Sequence, residues 1–98
     1  LNLSSKKQGL LLIKCCTELL PDETPSSRVA LVEQLWNILG THTKFDVDHY
    51  NELLRVYIAN GRTLKANVFL TQMGAVKPNL TTYELILRVL GEAGDINQ

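Results

Sequence analysis

Two stretches of this chain are copies of one another. Tyr50-Asn51-Glu52-Leu53-Leu54-Arg55-Val56, followed by Gly61, aligns with Tyr83-Glu84-Leu85-Ile86-Leu87-Arg88-Val89, followed by Gly94, at an offset of 33 residues. An offset of that size that carries Tyr, Leu, Arg, Val and Gly onto themselves marks stacked helical hairpins. Such arrays bury a core only by stacking on their neighbours, and they present a long concave face to an extended ligand. The question of function becomes one of which side chains line that face.

The flanking residues support helices throughout. Leu10, Leu11, Ile13, Cys15, Leu19 and Leu20 lie in a stretch from Lys6 to Leu20 that Pro21 ends, which predicts a first helix. A turn-rich loop over 21–27 follows, with Thr24 or Ser26 placed to start the next helix. From Arg28 to Leu39, Val29, Val32, Leu35, Trp36 and Leu39 recur on one helical face, closed by Gly40. Asp46 or Asp48 can cap a third helix to Asn60, with Tyr50, Leu53, Leu54, Tyr57 and Ile58 as its core stripe.

Thr63 can cap a fourth helix from Leu64 to Met73, burying Ala66, Phe69, Leu70 and Met73. Thr81 and Glu84 form a capping-box pattern for a fifth, with Tyr83, Ile86, Leu87, Leu90 and Ala93 facing inward. No segment alternates like a strand. The expected fold is all-α, a right-handed α-solenoid of about two and a half helix-turn-helix repeats. Residues 1–45 read as a degenerate first hairpin, 46–79 as one complete repeat, and 80–98 as the first helix of another. A chain that opens on Leu1 and stops where a new helix is due reads as an excerpt. Its unpartnered last helix is expected to make the fragment self-associate.

Composition narrows the chemistry. Ten basic and ten acidic residues give a formal charge of +0, so there is no global electrostatic footprint for nucleic acid. The longest uninterrupted apolar run, Leu10 to Ile13, is far too short to span a membrane. Cys15 and Cys16 are adjacent, and neighbouring side chains on a helix diverge by about 100°, which disfavours a mutual disulfide or a shared metal. They read as two reduced, partly buried thiols. His42 and His49, with Asp46 and Asp48 between them, would need converging ligands from a loop and a helix start, so no metal site is expected. No nucleophile–base pair, Gly-rich phosphate loop or carboxylate pair stands out. The expectation is a non-enzyme that needs no cofactor.

Spacing alone hardly separates helical-repeat families. The tetratricopeptide pattern wants a Trp early in a first helix, whereas Trp36 falls near the end of a second. Tyr50-Asn51-x-Leu53-Leu54, then Gly61, then Ala66-x-x-Phe69-Leu70-x-x-Met73, then Pro78-Asn79 before Tyr83, resembles the pentatricopeptide repeat family. Leu11-Leu12-Ile13-Lys14-Cys15-Cys16, Leu19-Leu20-Pro21, and the run from Asp46 to Tyr57 are similar in particular to animal mitochondrial members. That resemblance implies a long mitochondrial protein that binds single-stranded messenger RNA at roughly one base per repeat and supports its stability, polyadenylation and translation. It also implies a small RRM-containing protein partner for the full-length chain, and a location in the mitochondrial matrix, with some members also in nucleus or cytosol.

The resemblance further marks two base-facing side chains per repeat, here Asn51 and Asn79. An Asn amide donates and accepts at once, which suits a pyrimidine edge. Both have a plain structural alternative, since Asn79 can cap a helix and Asn51 can bond nearby backbone. In the next unit Glu84 takes the reading position, and in the first unit the position falls near Gly9 or Leu10 with Asp46 as its second reader. Asp48 and Thr81 stand where a small apolar side chain would sandwich a base. Arg55 and Arg88, with Lys14 in the first unit, form a row of cations able to follow a phosphate backbone, or else to pair with Glu52 and Glu84. The rival to RNA binding is a protein-interaction scaffold on the same solenoid.

Overall fold

The computed structural model describes residues 6–18, 24–62 and 65–92. Five helices follow one another: α1 (Lys6–Glu18), α2 (Pro25–Gly40), α3 (Val47–Ala59), α4 (Ala66–Met73) and α5 (Leu80–Glu92). α1, α3 and α5 lie side by side in one layer, α3 in the middle, and α2 packs across α1 and α3. The slab measures 42 × 35 × 17 Å, long and thin as a stack of hairpins should be.

Local chemistry accounts for most of the helix ends. Thr24 caps α2, its hydroxyl oxygen accepting from the Ser27 amide at 3.1 Å, and Pro25 occupies the first turn, where its missing N–H costs nothing. α3 ends with Gly61 at φ 70°, Gly61 N–H bonding Ile58 O at 3.2 Å and Arg62 N–H bonding Tyr57 O at 2.8 Å. That pairing satisfies two terminal carbonyls and needs a left-handed residue, which Gly supplies without a Cβ clash. The fourth helix starts at Ala66, later than the sequence predicts, with Lys65 at its head and no side-chain cap. The expected cap at Thr63, the start at Leu64, and the end of the first helix at Leu20 lie outside the described residues.

Ile13, Val32, Leu39, Leu53, Leu54 and Val56 are almost completely buried and form the centre of the core. An aromatic chain extends it. Trp36 of α2 stacks on Phe45 with centroids 3.8 Å apart, meets Tyr50 edge-on at 5.1 Å, and Tyr50 in turn meets Phe69 of α4 at 6.1 Å. The two contacts of Tyr50 are the T-shaped geometry that ring quadrupoles favour, while Trp36 and Phe45 lie nearly face to face. Tyr50 therefore bridges the second helices of two successive hairpins.

The single-stripe expectation holds for α2 at Val29, Val32 and Leu39, while Leu35 and Trp36 are half-buried. On α3 it falls short. Besides Leu53, Leu54 and Tyr57, the polar His49 and Asn51 are buried, and so is Val56, because α3 is flanked by first-layer helices on both sides. On α5 the stripe shifts. Thr82, Leu85 and Ile86 are buried, whereas Tyr83 is 50% exposed and Leu87 65%. Tyr83 and Leu87 repeat Tyr50 and Leu54; on α3, Tyr50 is half-buried against Trp36 of α2 and Phe69 of α4, and Leu54 is buried. Among the described elements α5 packs chiefly on α3, and Tyr83 and Leu87 face away from that contact.

Candidate nucleic-acid interface

The sequence-predicted residues cluster where one hairpin meets the next, and they do so through a hydrogen-bonded ring. The Asn79 backbone N–H donates to Thr82 Oγ1 at 3.1 Å, and the Thr82 N–H donates to Asn79 Oδ1 at 3.1 Å. This is a reciprocal cap. From α3, Asn51 Nδ2 donates to Asn79 Oδ1 at 3.1 Å, and Thr82 Oγ1 donates its one proton to Asn51 Oδ1 at 2.6 Å. Asn51 is only 3% exposed and both ends of its amide are engaged. The helix cap is thus Asn79 with Thr82. The expected box of Thr81 with Glu84 is two residues too late, because α5 already begins at Leu80.

One repeat earlier the same device is built from charges. Asp46 and His49 precede Asn79 and Thr82 by 33 residues. Asp46 Oδ1 accepts from the Asp48 and His49 amides at 3.0 and 3.3 Å, and the Asp46 N–H donates to His49 Nδ1 at 3.0 Å. The helix before it again reaches across: Lys6 of α1 lies 2.7 Å from both Asp46 Oδ2 and Asp48 Oδ2. Of the two caps the sequence allows for α3, Asp46 takes the part, and Asp48 becomes an ion-pair partner.

His49 is 1% exposed, and its Nε2 has no hydrogen-bond partner among the described residues. Because Nδ1 accepts a backbone proton, a neutral ring carries its own proton on Nε2. That atom faces Gly9 of α1, where an added Cβ would lie 3.6 Å away in ordinary contact. Gly9 is therefore not forced by crowding.

Asp46 ionises more readily than an ordinary carboxyl. Its partial burial would push its pKa up, but the Lys6 hydrogen bond, the His49 backbone hydrogen bond, and the charges of both residues together pull it down. Lys6 is held protonated above the ordinary lysine range by its bonds to Asp46 and then Asp48, against a smaller opposing effect of desolvation. Cys16 moves upward through burial and then through the neighbouring Cys15, which disfavours a reactive thiolate.

The remaining predicted residues stay at the surface. Arg55 is ion-paired with Glu52 on its own helix. Lys14, Glu84 and Arg88 are exposed, Thr81 is half-buried, and Asn79 keeps its amide nitrogen outside the ring. Arg88 and Glu84 make no ion pair with a described residue. The Arg55–Glu52 pair is one of the two outcomes the sequence offered, whereas the capping roles of His49 and Thr82 went unread. The reciprocal pattern of Asp46/His49 and Asn79/Thr82, one repeat apart, was the signal that could have found the last two. Among the described residues no three His, Cys, Asp or Glu side chains converge on a metal position, and no helix is long and apolar enough to cross a membrane.

A family profile described as pentatricopeptide repeat domain matches residues 38–93. The chain is 37% identical over 95 residues to the "Leucine-rich PPR motif-containing protein, mitochondrial" of Xenopus tropicalis, covering 94% of the chain and 7% of that relative. It is 37% identical over 92 residues to the protein of the same name in Rattus norvegicus, covering 91% and 7%. The chain thus spans about 7% of the length of these curated relatives.

Two measurements check the junctions. Asn51→Ala removes two hydrogen bonds between α3 and the α5 cap, while the Thr82 hydroxyl can turn to Asn79 Oδ1 3.0 Å away, so chemical denaturation should register a loss of about 1–3 kcal/mol. A variant as stable as the parent would show that the ring contributes nothing. The first junction should respond to acid. A carboxyl whose folded pKa lies below its unfolded value contributes stability that is complete above the unfolded value and disappears as pH falls through the folded one. Protection of the amides at the start of α3, measured as exchange relative to the unfolded chain at the same pH, should therefore fall in acid below the ordinary carboxylate range. Asp46→Asn should flatten that dependence and leave the start of α5, whose cap does not titrate, unchanged.

Proposed function

The chain belongs to the pentatricopeptide repeat family, and from that premise we propose that it is an RNA-binding segment of a mitochondrial messenger-RNA stability, polyadenylation and translation factor. Single-stranded RNA would run across the side-by-side first helices α1, α3 and α5. The observation that supports this reading is the family match over 38–93 together with the arginine that recurs at the repeat offset on an exposed face, Arg55 and Arg88, and the equivalent positions Asp48, exposed, and Thr81, half-buried. Arg88 and Lys14 are the freer cations for the backbone, Arg55 being held by Glu52. Asn79, through its exposed amide nitrogen, together with Asp48, Thr81 and Glu84, would face bases, and Asn51 would hold Asn79 in place from below. The names of the relatives support a mitochondrial location, and within it we propose the matrix. The small RRM-containing partner, and any nuclear or cytosolic pool, would belong to the whole protein.

The test is a salt series of pyrimidine-rich single strands. Arg88→Glu should weaken binding and flatten its salt dependence, and Glu84→Lys should strengthen binding by replacing a carboxylate that repels phosphate. If neither the chain nor a longer span of its parent binds any single strand at low salt, the RNA reading is wrong.

One observation favours a second reading, a protein-binding scaffold. Leu80, Tyr83 and Leu87 are 74%, 50% and 65% exposed on α5, a contiguous apolar face of the kind that marks an interaction site. Light scattering of the 98-residue chain should show concentration-dependent self-association that Leu87→Glu abolishes. A strictly monomeric chain at high concentration would count against that face as a docking surface.

A further inference from the structure

Among the cations that have no ion-pair partner with a described residue, two lysines recur at the repeat offset. Lys44 and Lys77 are 33 residues apart, each two residues before the residue that caps the next first helix, Asp46 or Asn79. Both are exposed, and neither has an ion-pair partner among the described residues. The reason lies in the caps. Asp46 and Asp48 both turn their Oδ2 atoms to Lys6 rather than to Lys44, and Asn79 carries no charge to recruit Lys77. By topology the α2–α3 and α4–α5 connections fall on one edge of the slab, and the α3–α4 connection with Lys65 falls on the other.

The same edge carries a cavity of about 570 Å³ between the two connections, lined by His42, Lys44, Phe45, Tyr50 and Val76 among others. It is a depression largely open to solvent, and its lining combines aromatic rings with a cation. The Tyr50 hydroxyl makes no hydrogen bond with a described residue, and neither do the backbone N–H groups of Lys44 and Phe45. Unpaired amides beside a lysine are the elements of an anion site, and rings beside them offer a base something to stack on.

We propose that this turn edge tracks the phosphates of single-stranded RNA through Lys44 and Lys77, one contact per repeat, and that the cavity beside Phe45 and Tyr50 takes one base of the same strand. The proposal rests on the RNA reading above but assigns the backbone to a different edge from the Arg55 and Arg88 row. It explains why the lysines repeat while the side chains around them do not: Thr43 and Phe45 are followed at the offset by Val76 and Pro78. A charge that follows a regular backbone must recur, and a turn that only connects need not.

Fluorescence anisotropy with labelled oligouridine, over a salt series on the 98-residue chain, tests the edge. Lys44→Ala with Lys77→Ala should lower the slope of log affinity against log salt by about 1.4, at about 0.7 per lost phosphate contact. Lys65→Ala, at the opposite edge, should leave it unchanged. All these lysines are exposed, so circular dichroism should show the fold intact. Binding by the unmodified chain with an unaltered slope in the double variant overturns the edge and leaves the RNA reading standing. No binding by the unmodified chain overturns the edge before any substitution is made, and no binding by a longer span as well overturns the RNA reading. For the cavity, uridine monophosphate should shift the Phe45 and Tyr50 ring resonances together with the Lys44 amide, whereas inorganic phosphate should shift the amide alone. Equal shifts from both ligands would overturn the base site.

Discussion

Each repeat of this protein is joined to the next by a helix cap that the preceding first helix grips from the side. Lys6 reaches from α1 to Asp46, and Asn51 reaches from α3 to Asn79. A cap normally satisfies only its own helix. Here the acceptor that fixes the first turn of one helix also fixes that helix against its neighbour, so local helix chemistry and repeat stacking cannot be separated. The side-by-side layer of α1, α3 and α5, and with it any surface they share, depends on these contacts.

The two junctions do the same work with opposite chemistry. The first uses a lysine, two carboxylates and an imidazole, the second two amides and a hydroxyl. The ionic version is half-exposed, where solvent screening limits what a pair contributes. The neutral version is mostly inside, where an unmade hydrogen bond costs more than a made one contributes. The first junction should therefore be the softer and the more sensitive to pH and salt. The second should be rigid, because each of its members satisfies another.

Core packing sets a second constraint, visible in the two copies of one tyrosine. Tyr50 is enclosed by Trp36, Phe45 and Phe69, and burial pushes its pKa up. Tyr83, at the same place in its repeat, is half-exposed. The residue type is set by the repeat, and its environment by which helices are present to cover it. That is the one-dimensional logic of a solenoid, in which every unit is completed by its neighbours.

Most of the architecture was legible in the residues. The 33-residue echo, the apolar stripe of α2, the turn at Asn60-Gly61 and Pro25 in the first turn of α2 point to stacked helical hairpins, and the Tyr-Asn and Ala-Phe-Met patterns point to the family. These are properties of local sequence, where periodicity and turn chemistry act over a few residues. What the local pattern could not decide was partnership. Thr81 and Glu84 satisfy the spacing rule for a cap as well as Asn79 and Thr82 do, and only the approach of α3 selects the second pair. Asn51 reads equally well as a surface amide or a buried one, and only the presence of α5 puts it inside. His49 and Val56 fall off any single helical stripe, and they are buried because α3 has neighbours on two sides. Sequence by itself determined which helices form and how they repeat; tertiary structure decided which polar groups hold the repeats together and which remain free to meet a ligand, because that choice depends on contacts between residues about 30 or 40 positions apart.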